Sequence, residues 1–115
     1  MMSESIFIEQ SERIFAAIEE WLENSGMDLD IEFGAGMLSI TIESNGSQVI
    51  VSRQRAVSEI WVAAQSGGFH FSKKTEGDLA GAWVCKTDET LQQLLNRVLQ
   101  EQANEFPSEE LVLDD

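Results

Sequence analysis

Six carboxylates fall between residues 19 and 32: Glu19, Glu20, Glu23, Asp28, Asp30 and Glu32. No His or Cys lies among them. Oxygen-only donors suit hard cations such as iron(III), iron(II), manganese, calcium or magnesium. Without a closed ligand set, such binding would be weak, exposed and multiple. The same pattern also describes a solvated helix face followed by a solvated strand face, and regular alternation explains half of it with no ligand. Both readings stand on the residues alone.

A second group surrounds Trp61. In Glu59-Ile60-Trp61-Val62-Ala63-Ala64-Gln65, a period of two turns Ile60, Val62 and Ala64 to a core and leaves Glu59, Trp61, Ala63 and Gln65 toward water. A large apolar indole on a water-facing strand suggests a surface that something covers, and tryptophan is the residue most enriched at binding hot spots. Gln48, Ile50, Ser52 and Gln54 of the preceding strand share that face, with Arg55 close by. The set fits a protein-docking patch. It fits equally a tryptophan lying flat on its neighbours, stacked under an arginine.

The remaining candidates point away from catalysis. His70, between Phe69 and Phe71, is expected to pack or to face solvent, and Cys85 shares strand parity with Trp83 as a small core residue. The Glu-x-x-His motif of helical di-iron enzymes is absent, because the residue three before His70 is Gly67. Gly67-Gly68 lacks the context and the lysine of a phosphate loop. No catalytic triad is assembled, so a non-enzymatic protein is expected.

The elements that must carry these groups follow from periodicity. Phe7, Ile14, Phe15, Ile18, Trp21 and Leu22 share one face of a helix over about Glu4–Asn24, opposite Glu9, Glu12, Glu19, Glu20 and Glu23. Ser25-Gly26 is a plausible stop. Alternation over 28–33 then points Leu29, Ile31 and Phe33 inward and the three carboxylates outward. Further strands are predicted over 38–43, 48–54, 59–65 and 69–71 and around Trp83-Val84-Cys85, with Asn45-Gly46 as a hairpin turn. A last helix starts near Thr87 to Thr90, capped by Thr87 or Asp88, and carries Leu91, Leu94, Leu95, Val98 and Leu99. Hairpin-connected strands imply a mostly antiparallel sheet of about six strands. With one apolar face per element, both helices should pack on one side: an α+β two-layer sandwich. A domain over residues 1–106 and an acidic tail over 107–115, without structure of its own, are predicted.

Composition agrees. A chain of 115 residues that is 43% hydrophobic is large enough for one core without staples. One cysteine excludes an internal disulfide and suits a reducing compartment. The longest apolar run, Ile60–Ala64, is too short for a bilayer, and Met1-Met2-Ser3-Glu4 lacks a basic targeting start, so a cytoplasmic location is expected. Twenty-one acids against seven bases give −14, and residues 1–43 alone hold ten acids and one base. That balance argues against nucleic acid or an anionic membrane as partner, and favours cations or a basic protein surface.

These pieces resemble a known family. Leu38-Ser39-Ile40-Thr41-Ile42-Glu43, Val49-Ile50-Val51-Ser52-Arg53-Gln54, Ile60-Trp61-Val62-Ala63 and Gly67-Gly68-Phe69-His70-Phe71, in that order, resemble bacterial frataxins of the CyaY type over about residues 4–104. The resemblance implies weak binding of iron (Fe2+ and Fe3+) along Glu19, Glu20, Glu23, Asp28, Asp30 and Glu32. It implies association with a cysteine desulfurase and the iron–sulfur scaffold protein, through a surface holding Ser52, Gln54 and Trp61. A regulator of iron–sulfur cluster assembly, possible also as an iron donor, is the expectation. An iron-oxidising or iron-storing protein is the alternative. A monomer is expected, one that iron could drive to oligomerise. The chain departs from the family's usual pattern at Ser52, in the acid-poor segment Asn24–Met27, in the longer loop Lys73–Ala82 and in the tail.

Overall fold

A computed structural model describes residues 2–113; Asp114 and Asp115, the end of the expected acidic tail, lie outside the described residues. The chain opens with helix α1 (Glu4–Glu23). Ser3 caps it, its hydroxyl accepting the Ile6 N–H at 3.3 Å and so satisfying one of the free donors of the first turn. Its apolar stripe is buried as the spacing requires: Phe7, Ile14, Phe15, Ile18, Trp21 and Leu22.

Six strands follow: β1 (Leu29–Gly34), β2 (Met37–Ile42), β3 (Gln48–Gln54), β4 (Glu59–Ala64), β5 (Gly67–Lys73) and β6 (Trp83–Val84). They form one sheet in sequence order, with every neighbouring pair antiparallel. Tight turns explain that order: Ala35 and Gly36 both take left-handed φ values, 54° and 73°, between β1 and β2. A short 3-10 turn, Arg55–Val57, separates β3 from β4. Helix α2 (Leu91–Ala103) closes the chain of elements. Its cap is Thr90 rather than Thr87 or Asp88: Thr90 and Gln93 exchange side-chain and backbone hydrogen bonds, while Asp88 is drawn into a left-handed turn at φ 65°.

Both helices cover the same face of the sheet. Leu38, Ile40, Ile42, Val49, Val51, Ile60, Val62 and Phe71 meet α1 and the leucines of α2 in one core, which also takes in Trp83 and Cys85. The two-layer α+β sandwich is the expected one. Buried Gln102 fastens the end of α2 to two sheet turns, donating to Ser47 Oγ and Gln48 O and accepting the Gln65 N–H at 3.0 Å. Phe33 is the inward residue that fails to be buried. It sits at the far end of edge strand β1, 48% exposed and tilted against Phe15.

Residues 108–113 have no regular secondary structure, yet they are strapped across both helices. Trp21 Nε1 donates to the Glu109 carbonyl at 2.8 Å, and the Ser108 N–H donates to Ser25 O. Asn96 brackets Leu111, donating to its carbonyl and accepting its N–H, and Gln92 accepts the Leu113 N–H. Leu111 itself is 3% exposed within the core. We expect Leu111→Ala to cost about 2–3 kcal/mol in urea unfolding. A loss below roughly 0.5 kcal/mol, the range of neutral surface changes, would show that the strap is not docked in solution.

Candidate functional site

The sheet has one covered face and one open face, and the candidate residues sort by that division. Asp28, Asp30 and Glu32 precede or alternate with the half-buried Leu29 and Ile31, so they lie on the open side of β1, and all three are exposed. Glu43 joins them from β2's end, where its N–H donates to the Asp28 carbonyl at 3.0 Å. On α1, Phe15, Glu19 and Glu23 follow at intervals of four and share one stripe. Phe15 touches Phe33 of β1 with ring centroids 5.1 Å apart, so this stripe runs alongside the edge strand. Glu19 and Glu23 therefore flank the sheet edge from the helix layer, while Asp28, Asp30 and Glu32 flank it from the open face. Glu20 does not. It lies on another side of α1, in a shallow cleft with Trp21, Asn24, Glu109 and Glu110 of the strap.

The ridge lacks counter-charge. Among the described residues, the ion pairs of arginine and lysine are Arg13–Glu9 at 3.0 Å, Arg53–Glu12 at 3.9 Å, Arg55–Glu4 at 2.8 Å, Lys74–Asp88 at 3.8 Å, and Arg97 with Glu89 at 2.9 Å and Glu101 at 3.4 Å. The Glu89 hydrogen bond pushes the Arg97 guanidinium further up from its ordinary value. Lys73 donates to Gln10. None of the six predicted ridge acids takes part in any of these pairs. Moreover, the last turn of α1 carries no base, although the helix dipole places partial negative charge there. The carboxylates repel one another and the helix end, which is an arrangement that an external cation or a basic surface would relieve.

The open face also carries the aromatic site. Cross-strand register sets Met37, Ser52, Trp61 and His70 in one row, running from β2 to β5. Gln54 donates to Ser52 Oγ at 3.2 Å, tying together two of the predicted docking residues. Trp61 is half-buried and does lie flat against a neighbour. That neighbour is His70 rather than an arginine: the rings are 3.9 Å apart with planes 6° from parallel. Arg55 is drawn away to Glu4 of α1. Sequence reading missed the Trp61–His70 pair because it is created by register across a hairpin, which alternation along one strand does not reveal.

The β1 part of the ridge shares the open face with Trp61. Glu32 stands in the row Glu32–Ser39–Ile50–Ala63, next to the row that holds Trp61. At about 4.8 Å per strand, β1 and β4 are roughly 14 Å apart. As a metal site the ridge is open: among the described residues no three His, Cys, Asp or Glu side chains converge so as to hold an ion. The donor chemistry fits hard cations held weakly at one or two carboxylates with water completing the shell, and it does not fit a chelated ion.

Comparison with known proteins gives a consistent result. The model of a frataxin-like domain matches residues 2–105. The chain is 42% identical over 105 residues to a Pseudomonas putida (strain W619) protein named iron-sulfur cluster assembly protein CyaY, covering 90% of this chain and 92% of that one. It is 41% identical, with the same coverage, to a protein of the same name from Azotobacter vinelandii. The frataxin from Psychromonas ingrahamii superposes with a TM-score of 0.82 at 24% identity, covering 97% of this chain and all of the other. No helix among the described residues is long and apolar enough to cross a membrane.

Crowded charge at the end of α1 has a measurable signature. Glu23→Lys should raise stability by about 0.3–1 kcal/mol at low ionic strength, with most of the gain lost in 0.5 M salt. Thermal melts at both salt levels check it; an unchanged or lowered melting temperature at low salt refutes the uncompensated ridge.

Proposed function

This chain belongs to the frataxin-like family, and on that premise we propose that it is a non-enzymatic, iron-responsive regulator of iron–sulfur cluster assembly. The observation that carries the proposal is the shared open face: the unneutralised carboxylates Asp28, Asp30 and Glu32 and an aromatic platform project from the same side of one sheet, with Glu19 and Glu23 of α1 flanking the same edge from the helix layer. The name of these relatives, iron-sulfur cluster assembly protein, supplies the process.

The partner is a cysteine desulfurase and its scaffold protein, engaged through a basic surface. Long-range attraction by Glu19, Glu23, Asp28, Asp30 and Glu32 steers the encounter, and Trp61 with Ser52 and Gln54 supplies the packed contact. Weak iron on the ridge adds two or three positive charges per ion. It lowers the attraction, so that iron supply adjusts how strongly the regulator engages. Glu20 contributes to the overall field from the other side of α1. An iron oxidase, by contrast, needs ligands that converge on one ion, and the ridge carboxylates point outward along a line.

The first experiment is binding to the organism's own desulfurase. Wild type should bind, with at least about tenfold weaker affinity at 0.5 M than at 50 mM salt. The Glu19→Lys, Glu23→Lys, Glu32→Lys triple variant should fail at both. Trp61→Ala should lose about 2 kcal/mol while keeping the salt dependence. Equal binding by all three proteins would rule out this surface. Iron(II) titration is the second test: Asp30→Asn with Glu32→Gln should bind fewer ions than wild type, and calcium should compete only partly. An unchanged isotherm would remove the ridge as the iron site.

A further inference from the structure

The Trp61 indole is held on two sides. His70 lies directly across from it on β5 and stacks face to face at 3.9 Å. Glu59, two residues earlier on β4, accepts the indole Nε1–H at 2.7 Å. The same Glu59 oxygen lies 4.0 Å from Nδ1 of His70. One carboxylate oxygen thus faces both rings, and three side chains from two adjacent strands fix a single aromatic plane. His70 is 58% exposed, so solvent protons reach it.

Resting on the docking reading above, we propose that Glu59 and His70 are positioning residues for Trp61, and that His70 makes docking through this surface depend on pH. A side chain already immobilised loses less freedom on binding, so fixing the indole strengthens any contact built on it. Histidine changes charge between pH 5 and 8. A protonated His70 is a cation 4.0 Å from the Glu59 carboxylate and stacked over the indole face. Both effects tighten the clamp. The charged and titratable neighbours are few: Glu59 on β4, and Lys86 with the buried Cys85 thiol, which share a shallow cleft with His70. On the other flank β3 presents only neutral Ser52 and Gln54. The proton also removes one unit of local negative charge, which weakens long-range attraction as iron on the ridge does; the gain from the fixed indole exceeds that loss, so the surface engages its basic partner more tightly in mildly acidic conditions.

His70 is the only histidine in the chain, which makes the test clean. The indole Nε1–H resonance of Trp61 is followed by NMR from pH 5.5 to 8 in wild type, His70→Gln and Glu59→Gln, alongside affinity for the purified desulfurase at pH 6 and pH 8. In wild type the resonance should shift in one step, and that step should vanish in His70→Gln. Wild-type affinity should be about threefold to tenfold tighter at pH 6 than the His70→Gln protein shows at the same pH, with the difference closing by pH 8. An indole resonance that ignores pH, or one that moves equally without His70, overturns the clamp. Equal pH ratios for wild type and variant overturn the gating. Absence of any wild-type binding overturns the docking reading and the gating with it, while the indole titration still decides the clamp.

Discussion

Two helices and one sheet bury a single interface, and the other face of the sheet is left to water. This constraint governs the rest. Period-two alternation must place Val49, Val51, Ile60 and Val62 in the core, so Ser52, Gln54 and Trp61 have nowhere to go but outward. The sequential antiparallel order then fixes which outward residues meet, since each strand's partner is its chain neighbour. An open face made this way is flat and rigid, and its residues are displayed by backbone hydrogen bonds rather than by loops. It is a surface suited to contact with another large, firm surface.

Charge is distributed with the same economy. Three of the arginines tie elements together: Arg55 links the turn before β4 to the start of α1, Arg97 holds the approach to α2, and Arg53 reaches Ser11 and Glu12 across the layers. None neutralises the ridge. Native proteins retain such unfavourable crowding where the charge serves a function, and they tolerate it because the core supplies stability elsewhere. Here the core is continuous and its buried polar side chains are satisfied among the described residues.

Much of this was legible in the sequence, and the boundary is physical. Alternation and 3.6-residue spacing located both helices, the strands and the inward set, because burial of one face imposes those periods. The ridge acids and Trp61 were visible for the same reason. What escaped was whatever depends on contact between distant segments. Phe33 obeys the alternation, yet it reaches past the helices at the sheet edge. Glu20 is adjacent to Glu19 in sequence but turns about 100° away on the helix. The strap's docking rests on side-chain amides of Asn96 and Gln92 bonding to backbone, a pattern with no sequence period. His70 met Trp61 only once register was known.

The position of β1 has another consequence. It is an edge strand, paired on one side with β2 and open on the other, and an open strand edge is a template on which a second copy can pair. Asp28, Asp30 and Glu32 guard that edge against self-association, because two such strands brought together would align their carboxylates. A ligand that cancels this charge would also remove the guard. The same three residues thus set how the open edge would meet a second copy, with like charges on both strands opposing the pairing that the free backbone groups invite.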